Sequence, residues 1–461
     1  MNGNTIKILA VGIVIVVAAA GAGAFFLLNK DKKDSTDIDA ALEVYGNADN
    51  NYKIDDSDID VIQNIIDKKE GYTLEKYPLA DAYKDGVVDD KDIDQVKKII
   101  AGGDEGKSFK VWYINHSTNT TAYPNGTYVA DMTWPVQKCI ANGAANALII
   151  YEMVGIRDNI SGINYSATSP PDPKVYSYYN AMPSLGTSTN YLTENLLTDC
   201  VAANPGTTAV ITADNKGYLD GSSGVSEQYI EEELHLDVVR IKHAAVDPNE
   251  YSSAILMIGF MFQKETKAQE AAEWVTEVFK DITEKTSTVD KKVRVLASSY
   301  QTYVSARNSD YADVTIKAGG EYTLGTENVS SVYFSGSKKD ASLFTPEKQP
   351  DVIICIRTGS GFLKASWYDD SSKWDVNNMK TQLQNYSEFN CYGEKKVYTI
   401  SGDMPIVARV LYAAVILYPD LFTMEKADEL HQEFVDKFLN SSYKVSDLKF
   451  VLSQSEVENL A

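Results

Sequence analysis

Ser252-Ser-Ala-Ile-Leu-Met-Ile-Gly-Phe-Met-Phe262-Gln-Lys-Glu-Thr-Lys-Ala268-Gln-Glu-Ala-Ala-Glu-Trp-Val275-Thr-Glu-Val-Phe279-Lys-Asp-Ile282-Thr-Glu-Lys285 is the stretch on which the fold turns. Ile255, Ile258, Met261–Phe262, Ala268, Ala271–Ala272, Val275, Val278–Phe279 and Ile282 recur close to every 3.6 residues, the period of a helix with one apolar face. The stretch has no proline and a single glycine, Gly259. It predicts one helix, about 50 Å long at ~1.5 Å per residue. Short apolar runs flank it on both sides: Ala209–Ile211 and Val238–Ile241 before, Val293–Leu296, Val352–Ile356 and Val397–Ile400 after. These read as buried strands alternating with helices, the pattern of α/β lobes. The expected fold class is therefore α/β: two Rossmann-like lobes, over 108–250 and 287–461, joined by a long rigid helix over 251–286. A stiff bridge limits closure, so the groove between such lobes suits a bulky ligand that needs little engulfment.

Upstream, residues 35–104 carry a duplication. Gly46-Asn-Ala-Asp-Asn-Asn-Tyr-Lys-Ile-Asp-Asp-Ser-Asp58 is echoed 34 residues later by Ala80-Asp-Ala-Tyr-Lys-Asp-Gly-Val-Val-Asp-Asp-Lys-Asp92, and Ile59, Ile62, Ile65 and Ile66 are answered by Ile93, Val96, Ile99 and Ile100. Oxygen ligands at loop positions 1, 3, 5, 9 and 12, with a backbone carbonyl at 7, can wrap one Ca²⁺. The first loop offers Asn47, Asp49, Asn51, the Lys53 carbonyl, Asp55 and Asp58; the second offers Asp81, Asp85, the Val87 carbonyl, Asp89 and Asp92, with Tyr83 at position 3. The expected cofactor is Ca²⁺, with no redox or nucleotide group. This duplicated loop-helix resembles a type I dockerin, a small all-α module, departing from it at Tyr52 and Tyr83. The resemblance implies a cohesin-like partner read by Asp56-Ser57 and Asp90-Lys91. A solvated acidic spacer is the bland alternative.

Residues 1–34 contain an uninterrupted apolar run of 21 residues, Ile8 to Leu28, long enough to cross a bilayer. We read it as an uncleaved transmembrane helix, with a removed signal peptide as the alternative. Eight Asn-x-Ser/Thr sequons (Asn115, Asn119, Asn125, Asn159, Asn164, Asn328, Asn385, Asn440) agree with soluble domains outside the cell membrane. Four cysteines, Cys139, Cys200, Cys355 and Cys391, permit two disulfides, Cys139–Cys200 and Cys355–Cys391, or remain buried thiols.

With 43 Lys+Arg against 65 Asp+Glu, the net charge of −22 argues against nucleic acid as partner. Half of that excess lies in residues 31–106, which hold 21 acids and 10 lysines. The four histidines, His116, His235, His243 and His431, form no ligand pair, so capture of a bare transition metal is disfavoured. Thr358-Gly-Ser-Gly-Phe is no complete nucleophile elbow, and no phosphate-cradling glycine loop occurs; the chain does not read as an enzyme.

From Pro135-Val-Gln-Lys-Cys-Ile-Ala-Asn-Gly-Ala-Ala-Asn-Ala-Leu148, through Val154–Gly162, Met182-Pro-Ser-Leu-Gly186, Ile255–Glu265, Gln349-Pro-Asp-Val-Ile-Ile354 and Ala413–Phe422, to Glu429-Leu-His-Gln-Glu-Phe434, the chain resembles the helical-backbone substrate-binding proteins of iron-chelate and cobalamin ABC importers. The resemblance implies a metal chelate (iron-siderophore, haem or corrinoid) held between the lobes and delivered to a permease. Strand-to-helix loops facing the cleft supply the candidates: Asn142, Asn146, Tyr165, Tyr300, Tyr303, Arg357 and Asp403. Glu194, Asp199 and Glu347 are the candidates for docking on permease arginines. The alternative is a surface-assembly protein that recruits a cohesin-bearing partner, its lobes serving as scaffold.

Overall fold

The computed structural model describes residues 40–460, apart from 144, 166–170, 183, 189–190, 223, 300–301, 307–308, 326–330, 440 and 442. The apolar run Ile8–Leu28 lies outside them, and among the described residues no helix is long and apolar enough to cross a membrane. The chain opens with the acidic module, whose two helices are α1 (Asp56–Ile66) and α2 (Asp90–Ile100). An antiparallel hairpin follows, β1 (Phe109–His116) with β2 (Thr127–Trp134).

The first lobe contains β3 (Lys138–Asn142), α3 (Ala145–Val154), β4 (Ile160–Asn164), α4 (Glu194–Ala203), β5 (Thr207–Ala213) and β6 (Asp237–Ile241). Its sheet has the order β4-β3-β5-β6, all parallel. Apolar side chains cover it on both faces: Cys139, Ala141, Ile211 and Val239 join the main core, while Ile140, Val210 and Val238 pack under Leu185, Leu197 and Ile230. Such double coverage is why these strands are apolar runs rather than alternating ones.

The connector departs from expectation. It is two helices, α5 (Pro248–Met261) and α6 (Glu265–Ser287), with Gln263 at φ +54° between them. The apolar spacing contains the reason: after Phe262 the next apolar residue is Ala268, and the polar run Gln263–Lys267 has no face to bury. Gly259 completes the bend, because a Cβ there would lie 2.3 Å from the Ala268 Cβ. Asp247 starts α5 by accepting the Asn249 and Glu250 N–H groups, with Pro248 in the first turn. Its end is tied down as well, since Trp134 donates its indole N–H to the Phe260 carbonyl (2.7 Å) and Val136 its backbone N–H to that of Met261 (2.8 Å). Ala254 and Ile255–Met261 are all buried, so α5 is a core helix of the first lobe, packed on α3. Only α6 spans the lobes, at 23 residues or about 34 Å.

The second lobe contains β7 (Arg294–Ser298), α7 (Asp310–Lys317), β8 (Glu321–Tyr322), β9 (Val352–Arg357), β10 (Val397–Ser401), α8 (Ile406–Leu417), α9 (Met424–Phe438) and β11 (Val451–Ser453). Its sheet runs β8-β7-β9-β10-β11, parallel except for β11. The inner face of α6 packs on α3 of the first lobe and α8 of the second, and Trp274 lies against Phe434 and Phe438 of α9.

The acidic module is built into this body. Val44 bridges Tyr113, Tyr45 N–H donates to the Trp112 carbonyl and Ile114 N–H to the Glu43 carbonyl, so residues 43–45 extend β1 as a third strand. Gln95 donates to the Lys110 carbonyl, and Ala40, Leu42, Val44, Tyr52 and Ile99 belong to the same apolar core as both lobes. The hairpin in turn covers the β6 edge: the Asn115 amide donates to the Val238 carbonyl (2.8 Å) and its oxygen accepts from Arg240 N–H (2.8 Å). Asn115 and Asn164 are both buried, so these two sequons hold the fold together and offer no site for a glycan. The four cysteines are free thiols. Cys139 is buried in β3 and Cys200 sits on α4 against the Ser161 carbonyl, while Cys355 is in β9 and Cys391 lies buried beyond it, which decides against both disulfides.

Gly259→Ala should destabilise the protein by about 1–3 kcal/mol, the usual cost of overpacking a tight core contact. Urea denaturation measures this, and a midpoint unchanged from wild type would show that the two helices do not meet there.

Candidate functional site

Each sheet changes direction of winding between two central strands, β3 and β5 in the first lobe and β7 and β9 in the second. Ligands of open α/β sheets bind at the carboxyl ends of such strands. The two carboxyl edges face each other. Arg409, in the first turn of α8 just beyond β10, acts by its charge on Asp310 and Asp403 of its own lobe and on Tyr176 and Tyr251 of the other. Lys317 of the second lobe pairs with Asp247 at the start of α5 (2.7 Å).

At the first lobe's edge, Asn142 donates to Thr212 Oγ1 (3.1 Å) and accepts from the Asn164 amide (2.8 Å). Asn164 Oδ1 is buried without a hydrogen-bond partner. Tyr165 donates its hydroxyl to the Met182 carbonyl (2.8 Å). Burial pushes the His243 imidazole down to about 4, so this ring beside Gly143 is neutral. Asn146 lies on α3, its side chain outside the description, and Tyr300 falls outside the described residues.

At the second lobe's edge Arg357 turns inward. Its guanidinium donates to the Tyr386 hydroxyl (2.7 Å), which donates to Ser298 Oγ (2.8 Å). Tyr303 packs against Tyr333. Asp403 accepts the Gly359 N–H (2.8 Å), and burial pushes its carboxyl up to about 6 against the pull of that bond and of Arg409. Glu194 and Asp199 are exposed on α4, whose first turn lies on the carboxyl side of its sheet; Glu347 is exposed beside Arg294, at the amino side of the other. The three acids therefore occupy non-equivalent ends of the two lobes.

Across the junction, Lys174 reaches the Tyr368 carbonyl (2.7 Å) and the Asp369 carboxylate (2.7 Å), and Ser366 donates to Asp172. Asp172, Lys174, Tyr176, Tyr251, Asp310 and Arg409 are junction residues that the sequence reading passed over. Arg409 had a signal, as the lone charge in the apolar run Ile406–Leu417. Two cavities stand out among the described residues and neither lies between the lobes. One of about 740 Å³ flanks the first lobe, and one of about 310 Å³ lies near Arg294 and Asn390.

In the module the two loops fold alike. Asn50 and Lys84, both at position 4, have φ +58° and +61°, and Asp58 and Asp92 each accept two backbone N–H groups in matching capping boxes. At position 1 of each loop a buried oxygen, Asn47 Oδ1 and Asp81 Oδ1, has no hydrogen-bond partner, which fits a hard cation. Burial and the nearby Asp49 carboxylate push Asp58 up, and burial raises Asp49. Among the described residues no three His, Cys, Asp or Glu side chains converge on one point; Asp55 pairs with Lys53 and Asp85 with Lys91. Tyr83 at position 3 packs on Trp112, a docking contact with the hairpin.

No family model and no curated protein matches the chain. Among solved structures its fold is similar to the TroA-like periplasmic binding protein FepB from Veillonella parvula, at 17% identity and a TM-score of 0.53, covering 70% of this chain and 97% of that one. It is also similar to an ABC transporter solute binding protein from Sulfurospirillum deleyianum, at 13% identity and 0.50, covering 69% and 95%. The mixed α/β architecture with two parallel sheets is thus the fold of these solute-binding proteins.

Asp403 makes the junction pH-dependent. A folded value of about 6 lies above the ordinary carboxyl value of 3.8, so the folded chain holds this proton more tightly than the unfolded chain. Its contribution to stability therefore rises as pH falls through about 6 and levels off below about 4. Asp403→Asn should reduce that slope and stabilise the neutral-pH protein by on the order of 2 kcal/mol. Urea titrations across this range test it: Glu231, raised to about 7, keeps a slope of its own in either protein, and a slope identical in wild type and variant refutes the assignment.

Proposed function

We propose that the chain is the extracytoplasmic solute-binding subunit of an ABC importer, held to the membrane by the apolar segment Ile8–Leu28. It captures a metal chelate (an iron-siderophore, haem or a corrinoid) between its lobes and delivers it to a permease. The supporting observation is the pair of parallel sheets that turn their carboxyl edges toward each other across one junction spanned by α6. No nucleophile-base pair is needed in this role; binding and release suffice. Lys174–Asp369 bridges the lobes, so a chelate entering between them would part that pair first. Titrating the full chain with a ferric siderophore, haem and cobalamin should give saturable binding to one of them, weakened about tenfold, or ~1.4 kcal/mol, by Tyr303→Ala at the second lobe's edge. Absence of saturable binding to every one sinks the proposal.

The module's role is a calcium-stiffened platform. Asn47, Asp49, Asn51, the Lys53 carbonyl, Asp55 and Asp58 would hold one Ca²⁺, and Asp81, Asp85, the Val87 carbonyl, Asp89 and Asp92 a second; the ion would neutralise carboxylates that otherwise repel. Because the module shares the main core, chelating calcium should lower the melting temperature of the whole chain rather than release an independent unit. Calorimetry with and without a chelator reads this, and a melting temperature indifferent to calcium removes the ion from the account. Asp56, Ser57, Asp90 and Lys91 are exposed on the module's outer side, which favours a cohesin-like partner as the second reading.

A further inference from the structure

The cavity of about 740 Å³ beside the first lobe has a size that suits a small organic ligand, within the usual ~300–1,000 Å³. Three parts of the chain wall it: Glu43 and Asn50 of the docked module, the hairpin residues Tyr113 and His116, and the lobe itself through Asp214, Lys242 and Glu250. Asp214 follows β5 and Lys242 follows β6.

Its charges do not cancel. Glu43 lies 2.5 Å from the His116 ring, Lys242 2.5 Å from Glu250, and Arg240 is held 2.5 Å from Glu227. Asp214 is half-buried in the wall and forms no ion pair with any described residue; Lys242 and His116 attract it only from beyond contact distance, and burial raises its carboxyl. Tyr113, Ile241, Ala254 and Met257 add an apolar surface to the same lining. An anion would add to the surplus negative charge, and a neutral solute would leave Asp214 desolvated without a counter-charge. A cation with an apolar body satisfies both the carboxylate and the apolar lining.

We propose that this cavity is a second binding site, separate from the inter-lobe junction, that takes a small organic amine with its ammonium against Asp214 and is completed only by the docking of residues 40–50. The site gives the module a function independent of any partner protein.

Calorimetric titration of the full chain with phenethylamine, phenethyl alcohol and hydrocinnamate tests the assignment. The amine should saturate one site, the alcohol should bind at least tenfold more weakly, and the acid should not bind. Asp214→Asn should weaken the amine at least tenfold, and Lys242→Met, which removes the competing cation and frees Glu250, should tighten it. Equal affinity for amine and alcohol, no saturable amine binding, or either variant leaving the amine affinity unchanged overturns the proposal. A metal chelate that binds without displacing the amine keeps the two sites distinct. Failure of the chelate titration alone counts against the transport reading and not against this one.

Discussion

The contact between Gly259 and Ala268 fixes more of this molecule than any other. It brings the end of α5 within backbone distance of the start of α6, and so sets the angle at which the first lobe hands over to the spanning helix. A straight continuation would have prolonged α5 along its own axis, in place of turning the chain back at Gln263. With the bend, α5 is absorbed into the first lobe and α6 lies on helices of both lobes, which orients the two sheets edge to edge. Where one rod was expected, the connection is two helices meeting at a close-packed corner. Close packing of this kind resists gradual deformation.

The far side of the junction is polar. Lys174 with Asp369 and Asp172 with Ser366 bridge loops rather than regular elements, and the Lys174 side chain is half exposed. Pairs of this sort contribute roughly 0–1 kcal/mol each. The corner is therefore close-packed and the latch weak, so parting the lobes on that side costs little. The polar groups at the strand ends point to the same economy of motion: Asn142, Arg357 and Asp403 each bond within their own lobe, so opening the junction leaves none of them unpaired.

The strands were legible because buried parallel strands are uninterrupted apolar runs; Val352–Ile356 and Val397–Ile400 fall within β9 and β10. The duplicated loops were legible because a loop that repeats carboxylates at fixed offsets has few other uses, and the paired positive φ at Asn50 and Lys84 shows the repeat carried into the backbone. The bend was written in the polar run Gln263–Lys267 but was outweighed by the helical period on either side. Site residues were less legible, since burial and pairing are decided by partners distant in sequence. Arg357 ends its strand as expected, yet Tyr386, 29 residues away, turns it inward.

The module's docking could not be read from its own residues at all. Its helices carry enough apolar positions for a small private core, formed by Ala48, Ile62, Ala80, Ile93 and Val96. What joins it to the lobes is main-chain pairing of residues 43–45 with β1, which leaves no trace in a side-chain pattern, together with side chains such as Gln95 and Tyr83 whose partners, Lys110 and Trp112, lie outside the module. The exposed edge of a two-stranded hairpin needs a partner of some kind, and the segment leading into the first acidic loop supplies it. The same few residues lead into the acidic loop, complete the sheet and wall the flanking cavity, so these three parts of the molecule are coupled through shared backbone.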